Sequence, residues 1–255
     1  MMEGNETGLL AGEQDFESCT IPLPTLKAPV PGEVHLWFLD LGGLADALRD
    51  ALGGNAELTR GQLRFARRFY LRLLLGAYLG LPGKSVHINR KQRGKPVLDA
   101  SVHDSQLHFS MAKSEDRLLI GLSTTGHIGV DLEPAGRRAH DALGVARRYF
   151  SPAEADALSA LPAAEVDAAF LRVWACKEAV VKASGLGIAN QFARFTVETD
   201  LGRPAALLDF EDEPAGDWML GLVRPDSDFL GAVAVRDKVK GVRAFRLLAA
   251  RRAGR

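Results

Sequence analysis

The chain of 255 residues is 47% hydrophobic and 25% charged, the balance of an ordinary globular protein with room for one large core or two small ones. Its 32 basic and 32 acidic residues cancel, so no overall field draws it to nucleic acid or to an anionic membrane, and no apolar run approaches the ~18 residues of a membrane span. With only Cys19 and Cys176, neither a disulfide framework nor a zinc site is expected, and a reducing, cytoplasmic setting is.

Residues 1–32 are rich in Gly, Glu and Pro, lack the basic n-region and apolar stretch of a signal peptide, and read as a mobile tail. The first strand is expected over residues 34–40, from its apolar and aromatic content. Residues 58–79 follow with a helical pattern, in which Leu63, Ala66, Phe69, Tyr70, Leu73, Leu74, Ala77 and Tyr78 form a broad apolar face. The same helix carries Arg60, Arg64, Arg67, Arg68 and Arg72, which in isolation describe a solvated basic face. Leu81-Pro82-Gly83 closes it, and residues 85–89 read as a strand leading into the basic turn Lys91-Gln92-Arg93-Gly94-Lys95-Pro96. A further strand is expected over residues 117–123.

Two stretches carry the chemistry. In His127-Ile128-Gly129-Val130-Asp131-Leu132-Glu133-Pro134 an apolar strand holds two carboxylates at i and i+2, so Asp131 and Glu133 face the same way. Their mutual repulsion is best tolerated at an exposed edge or around a bound cation. Residues 170–184 contain neither Pro nor Gly and repeat apolar residues at helical spacing, with Glu178 inside the apolar stripe and Lys182 one turn later; Gly185 and Gly187 end the helix. The plain alternative is an amphipathic helix with a surface Glu–Lys pair. Three carboxylates, Asp131, Glu133 and Glu178, are too few to cage Ca2+ but suit Mg2+, which keeps waters and is completed by substrate phosphates. Between the two stretches Ser151-Pro152-Ala153-Glu154 is a capping box and is read as structural. Beyond Gly187 the chain becomes rich in strands, with a last one expected over residues 244–250.

Gly129-Val130-Asp131-Leu132-Glu133 followed by Trp174-x-x-Lys177-Glu178-Ala179-x-x-Lys182-Ala183-x-Gly185-x-Gly187 resembles the paired signature of the 4'-phosphopantetheinyl transferases, specifically the larger surfactin-synthetase-activating type. Gly94-Lys95-Pro96-Val97-Leu98 and Arg147-Arg148-Tyr149-Phe150-Ser151-Pro152-x-Glu154 extend the likeness. The resemblance implies an α+β pseudodimer of two similar halves, each a small, mostly antiparallel sheet packed with helices, with the active site at their junction. The halves would be residues 33–125, for coenzyme A, and 126–250, for metal and catalysis. It implies Mg2+ on Asp131, Glu133 and Glu178, catalytic roles for Glu178 and Lys182, and coenzyme A held by Arg68, Lys95, Ser110, Lys113 and Lys182, with Arg60 a weaker candidate. The implied partner is an apo acyl or peptidyl carrier protein, and the chain is expected to act as a monomer.

One stretch departs from the family. Phe109-Ser110-Met111-Ala112-Lys113-Ser114 stands where the family has Phe-Asn-x-Ser-His-Ser, so Lys113 replaces a histidine. A lysine still pairs with phosphate but cannot switch near neutral pH. The departure raises the alternative of a coenzyme A-binding homologue with altered or lost transfer; a nonenzymatic α/β interaction module is a separate alternative.

Overall fold

The computed structural model describes residues 9–45, 59–91, 94–125, 127–185 and 191–249. Parts of the stretches named above, including residues 1–8, Gln92-Arg93, Gly126 and Gly187, lie outside the described residues. In chain order the strands are β1 (Leu9–Ala11), β2 (Phe16–Thr20), β3 (Glu33–Asp40), β4 (Ile88–Arg90), β5 (Pro96–Leu98), β6 (His108–Ser114) and β7 (Arg117–Ser123). They continue with β8 (Ile128–Pro134), β9 (Phe195–Val197), β10 (Leu207–Phe210), β11 (Met219–Asp226), β12 (Phe229–Val235) and β13 (Gly241–Leu248). The longer helices are α1 (Arg60–Leu79), α2 (Ala142–Tyr149), α3 (Pro152–Ser159) and α4 (Ala163–Ser184).

Period-two patterning builds two large sheets that share a core. The five-stranded sheet runs β2-β13-β3-β7-β6 and the four-stranded sheet β1-β11-β12-β8. From β3, Leu36 and Phe38 turn toward the other sheet, where they meet Ile128, Val130 and Val233, whereas Trp37 and Leu39 turn away into a core with Tyr70, Leu74 and Tyr78 of α1. On the far side Leu220, Leu222, Ala232 and Ala234 pack beneath α4. The order is therefore helix, sheet, sheet, helix, an α+β architecture in which each sheet buries both faces. Short hairpins β4–β5 and β9–β10 lie outside the main sheets.

The stretch expected to be a mobile tail is instead partly built into both sheets. Leu9 of β1 pairs in parallel with Leu222 of β11, and Phe16 of β2 pairs in parallel with Ala244 of β13. Apolar anchors explain the docking: Leu9, Leu10 and Ala11 of β1 pack on the core, and Phe16 of β2 is buried with its ring edge-on to Phe38 at 6.3 Å. The expected boundary between halves also needs correction. Strand β13 belongs to the first sheet, between β2 and β3 and parallel to both, so residues 241–248 complete the core of the opposite half.

Candidate active site

The site forms where β8 crosses α4. Alternation along β8 sends Ile128, Val130 and Leu132 into the core between the sheets, so Gly129, Asp131 and Glu133 face α4. At Gly129 the two elements touch through their backbones: a Cβ there would lie 2.0 Å from the Ala179 carbonyl oxygen and 2.4 Å from the Ala183 nitrogen. Only glycine permits this approach. It brings the turn of α4 that carries Glu178 and Lys182 over the acidic strand, and Gly185, at φ +72°, then caps the helix by donating its N–H to Val181.

The Lys182 Nζ donates to Asp131 Oδ1 at 2.6 Å and stands 3.7 Å from Glu178 Oε2. Glu133 pairs with Arg137, whose Nη1 lies 2.5 Å from Oε1. Asp131, Glu133 and Glu178 are all less than a tenth exposed. Burial, and then the neighbouring carboxylates, raise the Glu178 pKa above the ordinary carboxylate value, and Lys182 opposes that shift. Glu133 is raised by burial too, with Arg137 opposing.

Among the described residues, no three His, Cys, Asp or Glu side chains converge as a ready-made metal cluster. The carboxylates are turned to Lys182 and Arg137 instead. The donor set nevertheless fits a hard cation: three carboxylates share one buried crossing, and Asp131 Oδ2 is buried without a hydrogen-bond partner.

The residues expected to hold coenzyme A divide into two groups. Lys95, presented by the β4–β5 hairpin after Gly94 at φ +83°, donates from Nζ to the carbonyl oxygens of Ile128 at 2.9 Å and Lys182 at 2.6 Å. Burial pushes its pKa down to about 8. Ser110 is buried on β6, and its hydroxyl accepts from the Val130 N–H at 3.2 Å, which ties that strand to β8. Both residues thus adjoin the acidic crossing. Lys113 is exposed and opposes Leu118, on the β6 face that carries Phe109 and Met111 toward α1. Arg68 lies on that helix, where it lines a cavity of about 410 Å3 with Phe65, Phe69, Arg72 and Lys84. Arg60 is the exposed first residue of α1.

The sequence model of the 4'-phosphopantetheinyl transferase superfamily matches residues 127–234, the span from β8 to β12 that contains the crossing. Over 229 residues the chain is 34% identical to the 4'-phosphopantetheinyl transferase HetI of Nostoc sp., covering 84% of this chain and 92% of that protein. The chain belongs to the 4'-phosphopantetheinyl transferase superfamily. It is also similar to the 4'-phosphopantetheinyl transferase psf-1 of Bacillus pumilus, 29% identical over 49% of this chain and 51% of that one. A third relative is the human L-aminoadipate-semialdehyde dehydrogenase-phosphopantetheinyl transferase, 23% identical over 78% and 69%. As a phosphopantetheinyl transferase this protein draws on coenzyme A and serves a carrier protein.

Two residues of the transferase escaped the sequence reading. Lys177, beside Glu178, points away from the carboxylates: its fully buried ammonium contacts Glu154 at 2.7 Å and the carbonyl oxygens of Phe192 and Phe195 at 2.6 Å each. Glu154 in turn accepts from the N–H groups of Ser151 and Val197. The capping box of α3 thereby anchors α4, and the Trp174-x-x-Lys177-Glu178 motif held the signal. Arg137 had none, because it reaches Glu133 only after the chain turns beyond β8.

Proposed function

We propose that this transferase moves the phosphopantetheine arm of coenzyme A at the β8–α4 crossing, with Mg2+ held by Asp131, Glu133 and Glu178. The observation that carries the reading is the convergence of Asp131 and Glu178 on a single cation, Lys182, at a buried crossing where Asp131 Oδ2 is left without a hydrogen-bond partner. Bound there, Mg2+ would offset the negative charge of the diphosphate and orient it for attack. Lys182 stabilises charge on the leaving phosphate, and Lys95, held at the end of α4, adds a positive charge beside it. Ser110 keeps β6 against β8, while Arg68 and Lys113 serve the nucleotide end of coenzyme A from the α1 side.

The acceptor is a serine of an apo acyl or peptidyl carrier protein. Its hydroxyl oxygen bonds to the phosphorus that bears the pantetheine arm, and the bond from that phosphorus to the bridging oxygen breaks. The departing 3',5'-ADP takes the electron pair. The serine proton passes to Glu178, directly or through a water, a task favoured by its raised pKa. The free thiols Cys19 and Cys176 fit a cytoplasmic setting, and no helix among the described residues is long and apolar enough to cross a membrane. We take the chain to act as a monomer.

The test is the mass of an apo carrier protein incubated with this protein, coenzyme A and Mg2+. A gain of one phosphopantetheine is expected, and an unchanged mass under saturating conditions would reject the reading.

A further inference from the structure

Every acid of the crossing already has a protein cation. Lys182 spans Asp131 and Glu178, and Arg137 holds Glu133. Arg137 is tethered only at its tip: its side chain is 48% exposed, and its guanidinium carbon lies 5.7 Å from the centroid of the Trp174 ring on α4. That contact with the ring does not depend on Glu133 and remains available once Glu133 is taken from Arg137. Three carboxylates against two cations leave the crossing with one net negative charge. A divalent cation would turn this into one net positive charge, and an anionic diphosphate would then find two unpaired protein cations.

Resting on the metal site proposed above, we infer that Arg137 and Lys182 are placeholders for the metal. They occupy carboxylate oxygens that a divalent cation takes over, and once displaced they turn to the diphosphate of coenzyme A. Two consequences follow. Metal alone binds weakly, because it must displace Arg137 and Lys182. Metal and coenzyme A bind cooperatively, because each uses groups that the other frees, and the coupling is reciprocal. Arg137 is thereby a binding residue for the transfer that the paired signature does not contain.

The experiment is calorimetric titration of Mg2+ into the full chain with and without coenzyme A, carrier protein being absent so that no turnover occurs. In the parent protein coenzyme A is expected to tighten Mg2+ binding by about fivefold or more, the lower end of ordinary coupling. Arg137→Gln is expected to bind Mg2+ alone several-fold tighter than the parent and to gain less from coenzyme A. Arg137→Lys, which keeps a cation near Glu133, should return toward the parent on both counts. The half-exposed position of Arg137 makes misfolding an unpromising explanation, and circular dichroism checks it. Unchanged or weaker Mg2+ binding by Arg137→Gln in the absence of coenzyme A overturns the placeholder role and leaves the metal site standing. No Mg2+ binding by the parent, even with coenzyme A, overturns both.

Discussion

The ammonium of Lys177 and the carboxylate of Glu154 lie 2.7 Å apart with neither side chain reaching solvent. Glu178 is the next residue along α4, so the pair fixes the rotation that aims Glu178 at β8. A buried pair of this kind adds little over well-packed apolar residues but is costly to break from one side. The pair is better understood as setting the orientation of α4 than as a source of stability.

Glu154→Gln should destabilise the protein by ~3–5 kcal/mol, because it leaves a buried ammonium without its counter-charge. The double variant Glu154→Gln with Lys177→Met should recover part of that loss. Denaturant unfolding of the single and double variants measures both. Equal losses in the two would show that the charge is not what matters.

Gly129→Ala should separate β8 from α4, since the added methyl would collide with helix backbone that has no side-chain freedom to yield. Overpacking of this sort costs ~1–3 kcal/mol. Transfer should fall further than stability does, because the shift moves Asp131 away from Glu178 and Lys182. Comparing melting temperature with turnover separates the two effects.

Glu178→Gln should abolish transfer and leave the fold intact, because the isostere packs alike but supplies neither the metal's charge nor a proton acceptor. Substantial turnover at saturating Mg2+ would remove Glu178 from the chemistry.

Lys95 gives a pH signature. With its pKa lowered to about 8, it is charged below that pH and neutral above it, so coenzyme A affinity should fall as pH rises through 8. Stability moves the other way. Between about 8 and the ordinary lysine value the unfolded chain holds more protons than the folded one, so the cost of burying this charge is relieved as pH rises. Lys95→Met should bind coenzyme A more weakly below pH 8 and lose the alkaline fall.

Lys113→Ala should weaken coenzyme A binding by the ~1.5–3 kcal/mol of a charge-assisted hydrogen bond. Mg2+ binding should be unaffected, since Lys113 lies on the α1 side of its sheet. Unaltered coenzyme A affinity would leave Lys113 a plain surface lysine.

The central pieces of this arrangement were legible because their cause is local. A period of two put Asp131 and Glu133 on one side of β8, and one helical turn put Lys182 beside Glu178. The same alternation already separated Ser110 from Lys113, which stand an odd number of positions apart and leave β6 on opposite faces. Most of what escaped was non-local. Strands β1 and β2 are short, and their partners come from the last part of the chain, so nothing near them in sequence marked them as ordered. Lys177 finds its acid on a neighbouring helix, a contact that exists only after packing, whereas Arg137 is just four residues from Glu133 and meets it because a turn, not a regular element with a known period, follows β8.

The position of β13 constrains how the protein is made. Strands β3 and β7 leave the ribosome early, yet one side of β3 remains an open edge until residues 241–248 arrive, with the whole second half of the chain synthesised in between. Parallel pairing over such a separation closes late, and an unpaired edge with apolar faces invites association with other nascent chains. The first half therefore cannot mature as an independent unit during synthesis. A stop codon just before Gly241 would spare every residue of the acidic crossing and still leave a polypeptide that chaperones retain or proteases clear.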